Sequence, residues 1–236
     1  MPIDMKIALI VSAIGIAFLL NLSRDIDPYM DEIFHIPQAQ RICSGDFNSY
    51  DPKITTPPGL YILSLLMYRT VGLFSGGIQC STIFLRGTNG VISLMILPIL
   101  YFLRLELYPP LKGKRRVEGV QNTSGKNLEI NQLHILHSLT IFMYPVGAFF
   151  YTLYYTDSAA LLLLLLTYYI SILEMRQEWF ISASTSLLCV ASKVALFLSA
   201  SLAILVRQTN AVWIMFIFGE NSTLLMRIIF LILSPV

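Results

Sequence analysis

The chain has 236 residues, of which 56% are hydrophobic and only 13% charged, and its mean hydropathy is +0.69. Soluble domains carry about 25% charged residues, so these values mark an integral membrane protein. The formal net charge of +2 excludes a strongly basic surface, and no nucleic-acid partner is expected.

The first apolar run, "IALIVSAIGIAFLLNL" (7–22), follows a weakly basic flank, and no small-x-small cleavage site comes soon after it. It reads as an uncleaved signal anchor. Its roughly 16 residues lie near the short limit for crossing about 30 Å of hydrocarbon.

The long polar stretch 23–58 comes next. Between Met30 and Gln40, the residues Ile33, Phe34, Ile36, Pro37 and Ala39 alternate with Asp31, Glu32, His35, Gln38 and Gln40. This pattern predicts an amphipathic helix lying in the membrane interface. Asp31 and His35, four residues apart, share a face of that helix. A carboxylate over a bilayer surface, one turn from an imidazole, can take a proton from a sugar hydroxyl beside a lipid headgroup. Asp31 is the favoured base, and adjacency alone does not exclude Glu32. Lys53, Thr55 and Thr56 precede Pro57-Pro58-Gly59, and either offer a cation and hydroxyls to a phosphate or sugar, or simply form a turn.

Further apolar segments cover 59–74, 83–103, 133–153, 158–173, 179–206, 211–218 and 224–233, with polar breaks at 104–132, 154–157, 174–178, 207–210 and 219–223. Lipid leaves backbone groups no other partner, so the fold class is all-α, a polytopic transmembrane helical bundle. The leucine run 161–166 is expected to face lipid, and Lys193 either snorkels or divides its segment. Cys43, Cys80 and Cys189 are too few and scattered for a disulfide framework or metal cluster, and are expected to be free thiols.

Orientation turns on two signals that conflict if 59–74 spans. "KGKRR" (112–116) favours a cytosolic loop, whereas counting two spans before it places that loop on the side of 23–58. A segment 59–74 lying in or dipping into the interface reconciles them, with 23–58 and 154–157 luminal and 104–132 and 174–178 cytosolic. Asn122-Thr123-Ser124 matches a glycosylation sequon, which predicts an unused site in that orientation.

Two more spots carry polar chemistry. Asp157 in "YYTDS" (154–158) sits at a membrane boundary, where it serves a site or caps the helix starting at Ser158. Arg207, Gln208, Thr209 and Asn210 form a polar knot between apolar runs. An arginine there pairs with an acid, binds an anion such as a lipid phosphate, or snorkels.

"PYMDEIFHIPQAQ", "YDPKITTPPGLY", "YYTD" and "RQTN" followed by Trp213 together resemble the endoplasmic-reticulum α-1,2-glucosyltransferases of the lipid-linked oligosaccharide pathway, members of the GT-C superfamily. The resemblance implies a GT-C-like bundle in the endoplasmic-reticulum membrane, multi-pass, with its site facing the lumen. It implies dolichyl-phosphate glucose as donor and a dolichyl-diphosphate-linked oligosaccharide as acceptor, with no cofactor and no metal. Asp31 or Glu32 would be the general base of an inverting displacement. His35, Lys53, Thr55, Thr56, Asp157, Arg207, Gln208 and Asn210 would bind substrate. Arg207, with Lys53 or His35, would hold the leaving phosphate.

The chain stops at "MRIIFLILSPV" inside an apolar segment, so it is expected to be the amino-terminal part of a longer membrane domain. A transporter or channel-associated subunit with Asp31, Asp157 and Arg207 along a path is the alternative from another class. An inactive truncated paralogue is the third.

Overall fold

The computed structural model describes residues 2–77, 79–109, 123–180 and 187–219, which form helices and turns with no strand among them. In chain order the helices are α1 (Ile3–Leu22), α2 (Glu32–Cys43), α3 (Gly59–Phe74), α4 (Thr82–Leu94), α5 (Ile96–Leu107), α6 (Thr123–Phe142), α7 (Pro145–Tyr151), α8 (Thr156–Phe180) and α9 (Leu187–Val206), followed by α10 (Asn210–Gly219). The KGKRR run, Asn122 and the expected segment 224–233 lie outside the described residues.

Three helical stretches are long and apolar enough to cross a membrane: Ile3–Leu22, Thr82–Leu107 and Thr156–Met175. Ile130–Phe142 and Pro145–Tyr151, bent by 70°, make a fourth if counted together. The protein is thus a polytopic helical membrane protein. α1 is longer than the sequence run suggested, because Ile3 to Lys6 join the helix and Met5 is fully buried.

Prolines explain two interruptions. Pro98 lies in the first turn of α5, where its ring excludes a helical bond to the carbonyl of Leu94, and α4 ends there. Pro145 opens α7 at its first position, a place where a missing N–H costs nothing. Conversely, the expected break at 174–178 is absent: α8 runs through it to Phe180, and Glu174 accepts a hydrogen bond from Ser192 of α9. α9 is likewise continuous across Lys193.

The helix directions gather the polar segments. α1 ends where Arg86 of α4 reaches the Ser23 carbonyl. α3 starts against the backbone of Leu205 at the end of α9, and the turn before α8 meets Glu32 of α2. Residues 23–58, 154–157 and 207–210 therefore share one end of the bundle, and the end of α5 and the later half of α8 lie toward the other. α3, with 16 residues, falls short of a span.

One hydrophobic core lies beneath that polar end, joining Ile36 and Ala39 of α2, Leu60 and Tyr61 of α3, Leu85 of α4, Ala159 of α8 and Ala203 of α9. Leu163 also belongs to it, so the leucine run is not simply lipid-facing: Leu161 is exposed and Leu163 turns inward. A second core holds α1, α5 and α6 together through Met5, Ile16, Leu97, Tyr101, Ile135 and Phe142.

The cysteines correct the sequence reading. Cys43 and Cys80 form a disulfide with a Cα separation of 6.4 Å. The sequence separation of 37 hides the pairing, because the whole of α3 lies between the two cysteines. Cys189 lies in the first turn of α9, and its side chain lies outside the described residues.

Candidate active site

The helix predicted around Asp31 forms, but its faces are arranged differently from an interfacial helix. Glu32, His35 and Gln38 turn inward with Ile36, Ala39 and Ile42, while Ile33 is 56% exposed. The polar groups are buried because the bundle supplies their partners.

Glu32 shows this most fully. Its Oε1 accepts from Arg86 Nε at 3.0 Å and from the Tyr154 amide at 2.7 Å. Its Oε2 accepts from Arg86 Nη2 at 2.7 Å and from the Tyr29 amide at 3.0 Å. The residue has no exposure. Burial raises the Glu32 pKa, but the Arg86 hydrogen bond, the Tyr154 and Tyr29 amides and the Arg86 charge outweigh it, so the carboxyl titrates below its ordinary range.

Asp31 is its opposite. It is exposed, occupies the N-cap position of α2, and makes no side-chain capping bond there. What is held is its backbone: the Asp31 amide donates to Tyr155 Oη at 2.7 Å, and that hydroxyl donates to the Tyr29 carbonyl at 3.0 Å. Between them Met30 has φ 47°, left-handed backbone that non-glycine residues seldom adopt.

His35 is buried one turn along and shares a 2.6 Å hydrogen bond between Nδ1 and Tyr61 Oη. Burial lowers its pKa, and the charges of Asp31, Asp157 and Glu32 push in the other direction without overcoming it. The imidazole is therefore neutral near pH 7. That all three carboxylates act on this ring shows how sequence positions 31, 32 and 157 converge.

The remaining residues surround this group. Asp157, in the first turn of α8, pairs with Arg207 Nη1, and both side chains are partly exposed, at 36% and 39%. Lys53 Nζ lies 5.3 Å from the centre of the Phe34 ring on α2. Thr55 and Thr56 are engaged through their backbone: Gln208 Nε2 donates to the Thr55 carbonyl at 3.1 Å and Tyr50 Oη to the Thr56 carbonyl at 2.6 Å. Asn210 is buried and donates to the Ala203 and Ala160 carbonyls at 3.0 and 3.4 Å, which fastens the start of α10 to α8 and α9.

Four residues that the sequence reading passed over build this end of the molecule. Arg86 makes five hydrogen bonds, Asn89 donates to the Leu153 and Tyr155 carbonyls at 2.7 Å each, and Tyr61 and Tyr155 are described above. Arg86 and Asn89 were visible as polar residues within the apolar run 83–103, where such residues are costly and need a partner. The tyrosines carried no comparable signal.

Comparison with known proteins adds the family. The model described as the DIE2/ALG10 family matches residues 25–228. A curated Arabidopsis thaliana protein, Dol-P-Glc:Glc(2)Man(9)GlcNAc(2)-PP-Dol alpha-1,2-glucosyltransferase, is 36% identical over 202 residues, covering 81% of this chain and 32% of that protein. Proteins of the same name from Neurospora crassa and Homo sapiens are 34% and 32% identical, over 82% of this chain in each case and over 22% and 35% of their own lengths. The chain thus spans about a third or less of these relatives. No solved structure gives a significant match. The family match runs through every polar segment of the site, from the loop before α2 to the knot at Arg207, and the chain belongs to the DIE2/ALG10 family.

Proposed function

We propose that the chain carries the base-bearing part of a glucosyltransferase that moves glucose from dolichyl-phosphate glucose to a dolichyl-diphosphate-linked oligosaccharide, forming an α-1,2 linkage. The observation that carries the reading is the convergence of three stretches distant in sequence. Residues 29–35, 154–157 and 207–208 meet through the Asp31–Tyr155, Glu32–Tyr154 and Asp157–Arg207 contacts. The names of the curated relatives supply the substrates. Nothing observed favours the transport reading.

In this mechanism Asp31 is the general base. It is the exposed carboxylate, whereas both oxygens of Glu32 are already occupied by Arg86 and two amides. Asp31 removes the proton of the acceptor hydroxyl as that oxygen bonds to the anomeric carbon. The bond from that carbon to the phosphate oxygen breaks on the opposite face, and dolichyl phosphate leaves with the electron pair. One displacement inverts the configuration. Charge grows on the phosphate, and Arg207 and Lys53 lie at this end to meet it; His35, neutral, acts as a hydrogen-bonding neighbour. Arg207 exchanges Asp157 for phosphate as the donor binds.

The site end is assigned to the lumen of the endoplasmic reticulum. Disulfides persist in oxidising compartments, and Cys43–Cys80 ties the end of α2 to the turn that leads into α4.

The test is complementation. Cells lacking the terminal glucosyltransferase receive the complete protein bearing this chain, and the glucose content of the lipid-linked oligosaccharide is measured. Restored third glucose, lost with Asp31→Asn at unchanged protein level, is the expected result. Equal rescue by wild type and Asp31→Asn would overturn the assignment.

A further inference from the structure

We infer that Arg86, itself buried and without a hydrogen bond to Asp31, is a positioning residue that sets the geometry of the Asp31 base. The inference rests on the reading given under Proposed function.

Arg86 is 1% exposed and lies in α4, an element that contributes no candidate catalytic group. Its five hydrogen bonds equal the five N–H groups of a guanidinium. They run to the carbonyls of Ser23, Ile26 and Asp27 and to both oxygens of Glu32. No donor is left over for a phosphate, so its charge is spent inside the protein.

What it organises is the segment that presents Asp31. On one side the guanidinium gathers three carbonyls of the segment leaving α1, those of Ser23, Ile26 and Asp27. On the other it orients Glu32, whose oxygens hold the amides of Tyr29 and Tyr154. Tyr155, the neighbour of Tyr154, then closes the circuit by accepting from the Asp31 amide and donating to the Tyr29 carbonyl. Asp31 is therefore gripped on both flanks, and each grip leads back to Arg86.

Met30 reports the work this grip does. Its φ of 47° is backbone that persists in a non-glycine residue only where the surroundings impose it. Here the imposing contacts are those at Tyr29 and Asp31. A relaxed Met30 would swing the Asp31 carboxylate away from His35 and Asp157, and displacements of that order at a reacting group cost rate steeply.

The experiment uses the complete protein in detergent, with dolichyl-phosphate glucose and the lipid-linked oligosaccharide as substrates. Tyr155→Phe removes one hydroxyl and little else, and Arg86→Lys keeps the charge but not the planar fork. Three quantities are read: kcat against KM, amide exchange over residues 24–34, and resistance of Cys43 and Cys80 to alkylation as the measure of folded protein. Tyr155→Phe is expected to lower kcat by about tenfold at unchanged KM, with faster exchange over 24–34 and an intact disulfide. Arg86→Lys is expected to lower kcat further; should it fail to fold, Tyr155→Phe carries the test. Unchanged exchange in Tyr155→Phe, or wild-type kcat per folded molecule despite faster exchange, overturns the inference. A wild-type protein that transfers no glucose overturns the functional reading instead, and the exchange measurement then decides the grip on its own.

Discussion

Glu32 Oε2 and Arg86 Nη2 lie 2.7 Å apart across 54 residues of sequence, and neither side chain is more than 1% exposed. A buried pair of this kind is far more sensitive to losing one member than to losing both, because the survivor is a charge without water. Glu32→Leu and Arg86→Met are each expected to destabilise by about 3–5 kcal/mol. The double variant should cost clearly less than the sum. Thermal midpoints of the four proteins in one detergent check this, and additive losses would mean that the two side chains are not coupled.

The adjacent carboxylates should respond in opposite ways. Asp31 is exposed and Glu32 is not, so Asp31→Asn is expected to keep the fold and lose transfer by roughly 10²–10⁴-fold, the range for removing a general base. Glu32→Gln presents an NH2 group to the guanidinium and is expected to lower the amount of folded protein. Protein level and transfer rate measured on the same membranes separate the two outcomes. Full folding of Glu32→Gln together with lost transfer would move the base by one position.

The pH dependence follows from His35 and Glu32. Burial holds His35 below the ordinary imidazole value of 6.5. The unfolded chain therefore binds a proton near that value while the folded one does not, and stability declines as pH falls from about 6.5 toward the folded value. Glu32, held below its ordinary 4.5, contributes stability that is complete above 4.5 and lost as pH drops through its folded value. Midpoints measured across this range should fall in two stages. His35→Gln should flatten the first stage and leave the second; an unaltered first stage would show that another group produces it.

Much of this architecture was legible in the residues, and its failures have physical causes. α3 matches the apolar run 59–74 because Pro57-Pro58-Gly59 marks its start without ambiguity. The helix bearing Asp31 was also readable, but its buried face was not: Glu32, His35 and Gln38 look solvent-directed until Arg86, Tyr61 and the Ser49 carbonyl appear beside them. Those partners lie 54, 26 and 11 positions away, and hydropathy contains no such distances. The Cys43–Cys80 pair was missed for the same reason, and the continuity of α8 through 174–178 because Glu174 has its partner on α9.

The disulfide makes its own prediction. Cys43 and Cys80 enclose α3 in a covalent loop with a sequence separation of 37, and closing a loop of that size is worth about 3–4 kcal/mol in the chain-entropy account. Neither thiol should react with maleimide until a reductant is added. Reduction, or Cys43→Ser combined with Cys80→Ser, should lower the thermal midpoint. Prompt labelling of both residues in sealed, untreated membranes by a permeant reagent would place this end in a reducing compartment and remove the support for a luminal site.

Gly59 tests how closely α3 must approach α9. A Cβ at this position would lie 2.5 Å from the Leu205 carbonyl oxygen and 2.7 Å from the Val206 nitrogen. These are backbone atoms of a helix end and cannot rotate aside as a side chain can. Gly59→Ala is therefore expected to push the two elements apart and destabilise by about 1–3 kcal/mol, the usual cost of overpacking. It should also weaken transfer, because Gln208 and the Thr55 carbonyl, bonded at 3.1 Å across the same junction, would separate, and Arg207 adjoins them. Gly15 is the internal control: it sits in α1 with nothing within 4 Å of a built Cβ, so Gly15→Ala should be neutral or stabilise by up to about 1 kcal/mol. Equal behaviour of the two variants in midpoint and transfer would show that α3 and α9 do not meet at their backbones.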